Sequence, residues 1–326
     1  MNRRHVSLPT RHGAAALGLC TLLLSGCAGA TRVALPDAWR NQLGSVKTVV
    51  GLEQQEINAA VIASTGGAGL GLLGAIIDSA VTNSRTKDAE AAVAPVRDAL
   101  VGNEPGATLG AALTRELAAV PWLKPGAIEV RQVPNVDAAN ALATKAGESD
   151  LLLLVQTSYK LSPSFNAIVC TANVSLIPRG QPANGSGANK PIYFNRFSST
   201  ALLATWPAKG AKIEEEEEAL STASGGQLAR QLEEAAALWA ASGGRPARQA
   251  VDGGMNELAM MIAFDLPQAA PADGAAYHPV PGSARVELRD ELTEQRLTGL
   301  RVKDAGARTW VRLRSGDLVA IAKETP

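Results

Sequence analysis

The apolar residues of this chain fall into runs whose spacing changes from helical to alternating and back. Leu109, Leu113, Leu117 and Val120 stand at helical intervals and Pro121 stops the run, which predicts a helix. "IEVRQV" predicts a short strand, and "DAANALATKAG" a second helix closed by Gly147. "DLLLLVQTSYKL" opens as a continuous apolar run and then alternates, as a strand buried at one end and half-exposed at the other should. In "AIVCTANVSLI" the residues Ile168, Cys170, Ala172, Val174 and Leu176 share one face, so Cys170 is expected to be a small core residue and not a reactive thiol. The Pro, Gly and Asn loop that follows leads to "IYFNRFSST", completing a hairpin.

Two more helices follow, one carrying Leu228, Leu232, Ala235 and Trp239, the other Val251, Met255, Leu258 and Ile262. Gly243-Gly244 separates them, and Met255, Met260 and Met261 read as core filling. After a Pro-rich linker, "RVELRD", "RLTGLRVKD", "RTWVRLR" and "DLVAIAKE" alternate apolar and charged residues around turns at Asp304-Ala305-Gly306 and Ser315-Gly316-Asp317. They predict an antiparallel meander whose arginines lie on its solvated face.

The first hundred residues are less regular. "VKTVVGLEQQEINAAVIA" reads as extended structure with a break near Gly51, and "DAEAAVAPVRDALVG" as a helix that Pro95 bends or divides. The expected fold class is α+β or α/β: a small mixed sheet packed with helices, preceded by a Gly-rich helix and followed by a C-terminal antiparallel β meander. The expected divisions are a leader at 1–26, an N-terminal segment at 27–107, an α/β domain at 108–266, a linker at 267–282 and a small β domain at 283–326.

The leader carries Arg3, Arg4 and Arg11, then an apolar run from Ala14 to Leu24, too short to span a bilayer. It ends on Leu24-Ser25-Gly26-Cys27, which resembles the lipobox of bacterial lipoproteins. The resemblance implies lipidation of Cys27, removal of residues 1–26 and export. Ala28 stands where lipoproteins kept in the inner membrane carry Asp, so it further implies a periplasm-facing outer-membrane protein anchored in lipid through Cys27.

Export changes how the remaining chemistry reads. Of 31 Lys plus Arg, three leave with the leader, so 28 face 31 Asp plus Glu. No concentrated basic face suggests nucleic acid. Cys20 leaves too and Cys27 is acylated, so Cys170 has no thiol to pair with. His278 is the one histidine left, in the Pro-rich linker, which argues against histidine-based hydrolysis and against a metal site. The five glutamates of "IEEEEEALS" lack the alternation and the turn glycine of a calcium loop and suit a solvated helix start.

Three patterns remain. Gly69, Gly71 and Gly74 match G-x-G-x-x-G, but the second strand and acidic residue of a dinucleotide site are replaced by a helix-forming stretch at 87–100. No cofactor is expected. Ser84-Arg85-Thr86-Lys87 and Ser164-Phe165-Asn166 match S-x-x-K and S-x-N of penicillin-recognising enzymes, yet no K-T-G follows. A serine acyl-transferase or hydrolase using Ser84 and Lys87 is therefore only the alternative to a non-enzymatic protein.

The third is a strip of small residues at every fourth position: Ala59, Ala63, Gly67, Gly71, Ala75 and Ser79. On a helix it admits close approach of another backbone, so Ala63, Gly67, Gly71 and Ala75 are candidates for helix packing or self-association. The uncharged run from Ile57 to Ile77 is nominally long enough to cross a bilayer. A helix starting only near Ser64 leaves about twelve residues, too few.

The order helix, strand, helix, apolar strand opening at "GESDLLLLV", then long hairpin, over Thr108 to Thr200, is similar to α/β envelope lipoproteins of the TolB N-terminal type. These include curli-secretion pore subunits and penicillin-binding-protein activators. The resemblance implies a non-enzymatic, often oligomeric protein that binds or assembles with envelope partners.

Overall fold

The computed structural model describes residues 32–40, 46–60, 86–123, 125–144, 151–178, 190–203, 225–268 and 283–323. In chain order they form α1 (Asp37–Arg40), β1 (Val46–Leu52), β2 (Asn58–Ala59), α2 (residues 86–99), α3 (Pro105–Leu117), β3 (Pro125–Gln132) and α4 (Val136–Thr144). Then follow β4 (Leu151–Leu161), β5 (Ala167–Pro178), β6 (Tyr193–Leu202), α5 (Gly225–Asp265), β7 (Arg285–Arg289), β8 (Arg296–Ala305), β9 (Arg308–Leu313) and β10 (Leu318–Ala322). The strands make one mixed sheet in the order β3-β1-β4-β5-β6-β10-β9-β8-β7, with β2 paired to the far end of β4.

β1 is parallel to both its neighbours, β3 and β4. The chain moves from β1 to β3 in one direction and from β3 to β4 back past β1 in the other. Crossovers of one hand taken in opposite directions put their helices on opposite faces. Accordingly α3, with Leu109, Leu113 and Leu117 buried, packs on β1, β3 and α5 on one face, while α4 covers Val49, Leu152, Leu154 and Ile177 with Ala139 on the other. Burial on both faces is why "LLLLV" is unbroken by a polar residue. Between Thr171 and Ser175 on β5 burial alternates, because α4 does not extend over that part of the sheet.

α2 runs unbroken from 86 to 99, so Pro95 does not divide it. Its Arg97 clasps the residues that lead into β2: Nε donates to the Ile57 carbonyl at 3.1 Å and lies 3.7 Å from Glu56, and Nη2 meets Glu90 of α2 itself at 2.7 Å. The extended segment breaks after Leu52, and Gly51 remains inside β1.

α5 breaks at Ala241–Gly244, where Ser242, Gly243 and Gly244 all take positive φ. Its first limb buries Trp239, whose indole donates to the Phe165 carbonyl in the β4–β5 turn at 2.7 Å. Its second limb lies on β5 and β6 with Val251, Met255, Leu258 and Ile262 fully buried. Contact is closest at Gly254, where a Cβ would stand 2.5 Å from Cys170 Sγ. Cys170 is fully buried there, as its place on the apolar face of β5 predicts, and burial pushes its thiol up to about 12.

The C-terminal strands form an antiparallel meander with turns where the sequence places them. β10 also pairs with β6, in parallel, through Leu318–Phe197, Val319–Ser198 and Ala320–Ser199, so residues 283–323 extend the central sheet.

Candidate functional site

Cys27, the strip residues Ala63, Gly67, Gly71 and Ala75, and Ser84 lie outside the described residues. Of the strip, Ala59 is described and belongs to β2, so the helical series does not start there. Lys87 is exposed in the first turn of α2. Asn166 is buried in the β4–β5 turn, where Ser162 Oγ donates to its Oδ1 at 2.7 Å. Among the described residues no group of His, Cys, Asp and Glu could hold a metal ion, and no helix is long and apolar enough to cross a membrane.

The most concentrated polar chemistry surrounds Asp265, the last residue of α5 and fully buried. Its Oδ2 accepts from Tyr193 Oη at 2.8 Å, Asn195 Nδ2 at 2.8 Å and Arg32 Nε at 3.2 Å. Oδ1 stands 2.6 Å from Arg312 Nη2, which gives its hydrogen bond to Gln268 Oε1 at 3.2 Å. Both guanidiniums are sealed from water, with side chains 1 % and 2 % exposed. Burial alone would raise the Asp265 pKa, but Arg312, Arg32 and the donated hydrogen bonds outweigh it and hold the carboxyl below its ordinary value. Burial and the Asp265 charge push the Tyr193 hydroxyl well up.

The cluster seats Arg32 and Val33. Val33 exchanges backbone hydrogen bonds with Phe194 at 2.7 and 2.9 Å, and Arg32 N donates to Ser315 O in the β9–β10 turn at 3.2 Å. Arg32 and Val33 thus fill a notch between the start of β6 and that turn. Arg312 corrects the expectation that the meander's arginines are solvated, since β9 turns Arg312 and Trp310 together toward α5. Trp310 packs edge-on against Phe264, donates to Glu257 and carries Lys303 Nζ 4.7 Å above its ring.

On the opposite face, β5, β6 and β10 form the floor of a cleft of about 340 Å³ that the β7–β8 turn overhangs. Gly299 permits the curl, since a Cβ there would meet Val311 at 2.4 Å and the Arg312 carbonyl at 2.8 Å. Asn173, Arg196, Ser198 and Thr200 supply polar floor, Leu288, Leu292, Leu297 and Val319 an apolar wall, and Asp290, Glu291 and Asp317 an acidic rim. Arg196 is exposed, 5.9 Å above the Phe194 ring, and has no carboxylate within ion-pair distance among the described residues. Among the described residues that line the cleft none is histidine or lysine. The lining suits recognition of a ligand with an acceptor group for Arg196 and an apolar part for the leucines.

No protein-family model matches this chain, and no characterised protein or solved structure matches it either. Neither the Asp265 cluster nor the cleft is apparent from sequence spacing, because each gathers residues from distant strands. One local signal existed: in "RTWVRLR" the alternation places Arg312 on the face of Trp310.

Proposed function

We propose that this is a lipid-anchored envelope protein, held at the periplasmic face of the outer membrane through Cys27, that binds or assembles with an envelope partner and is not an enzyme. The observation that carries the reading is the seat of Arg32 and Val33. Arg32, five positions after Cys27, is held in the body by Ser315 and Asp265, where a mature chain acylated at Cys27 would enter it. The cleft supports a binding role, with the exposed Arg196 guanidinium beside an apolar wall. The order α3-β3-α4-β4-β5-β6 is the one on which the likeness to TolB N-terminal-type lipoproteins rests.

The test begins with intact-mass analysis of protein extracted from envelopes. A diacylglyceryl adduct on Cys27 and release of Cys27→Ser from the membrane fraction are expected. A photo-crosslinking residue in place of Arg196 should then capture a partner from intact envelopes. Stoichiometric acylation of Ser84 by a penicillin-type probe would overturn the non-enzymatic reading.

A further inference from the structure

We propose that the body stands end-on to the membrane, with the β9–β10 turn and the start of β6 facing the phospholipid headgroups. The inference rests on lipidation of Cys27 and adds to it an orientation and a contact surface. From Cys27 to Arg32 the chain takes five steps, a reach of about 17 Å when fully extended. A body of this many residues is on the order of 50 Å across. The tether is therefore much shorter than the molecule, and the surface around Arg32 must stay near the bilayer.

Arg32 cannot be drawn out to lengthen the tether without exposing an ion pair whose partner, Asp265, is fully buried. The surface around it is one end of the sheet, where β4, β6 and β10 begin and β5 and β9 finish. Among the described residues it carries exposed Lys190 and Arg314, beside a half-buried Asp317, and the two exposed cations have the sign of charge that anionic phospholipid attracts. The β8–β9 turn at Ala307 lies a strand length away, roughly 20 Å for the six residues of β9.

The test places single thiols at the two ends, Arg314→Cys and Ala307→Cys, in full-length protein reconstituted into vesicles of phosphatidylethanolamine and phosphatidylglycerol. Cys170 is buried and stays silent, and acylated Cys27 has no free thiol. A fluorophore at 314 should be quenched severalfold more than one at 307 by lipid carrying a headgroup quencher. A flexible spacer of about twenty Gly and Ser residues, inserted between Ala30 and Thr31, should abolish the difference. Equal quenching at both sites, stronger quenching at 307, or indifference to the spacer would overturn the orientation while leaving the anchor intact. Absence of lipid on Cys27 by mass in the same preparation would instead remove the anchor, and the orientation with it.

Discussion

Replacing Asp265 with Asn tests whether the buried cluster holds the first residues, α5, β6 and β9 together. The substitution keeps the shape and one acceptor but removes the carboxylate that pairs with both Arg32 and Arg312, whose side chains are sealed from water. Removing one partner of a buried pair costs about 3–5 kcal/mol, because the remaining charge stays desolvated. For a chain of this size that lowers Tm by on the order of 10 °C. Since the folded-state pKa of Asp265 is depressed, its contribution is complete above the unfolded carboxylate value near 4 and is lost as pH falls through the folded value. Urea denaturation of both proteins between pH 3 and 8 should show a constant gap above about pH 5 that narrows below 4. A triple variant adding Arg32→Met and Arg312→Met should recover much of the loss, since an apolar replacement leaves no stranded charge. A gap under about 0.5 kcal/mol at neutral pH, or one that does not narrow in acid, would refute the assignment.

Adjacent glycines on α5 should respond to Ala with opposite signs. At Gly253 a Cβ meets nothing within 4 Å, so Gly253→Ala should stabilise by up to about 1 kcal/mol, while Gly254→Ala should lose that gain and more against Cys170, both read from urea midpoints. Trp310→Ala should cost about 3–5 kcal/mol and release the meander from α5, seen as faster hydrogen exchange across β9 and β10. Cys170 should resist thiol reagents in the native protein up to pH 9 and react once urea unfolds it; prompt native labelling would contradict its place in the core.

Elements whose burial follows local period were legible. β4, β5 and the meander alternate or run apolar as their faces require, and the Gly243-Gly244 break in α5 coincides with residues that need positive φ. Parallel pairing of β10 with β6 left no local trace, because the partners are more than a hundred residues apart and joined by α5 and the meander. Arg312 departs from the solvated face expected of the meander's arginines for a related reason: it alternates with hydrophobic residues in the way a solvated arginine would. Only the arrival of Asp265 from another element turns the position into a buried one. Pro95 was over-weighted as a breaker, since the packing of Ala92, Val93 and Val96 holds α2 through the missing hydrogen bond.

The Arg97 clasp ties the chain on either side of residues 61–85 into one body: its guanidinium, on α2, holds the Ile57 carbonyl just ahead of β2. Ala60 and Thr86, which flank that stretch, therefore belong to one packed unit, and a proteolytic cut anywhere between them would leave the two pieces joined through Arg97 and the pairing of β2 with β4.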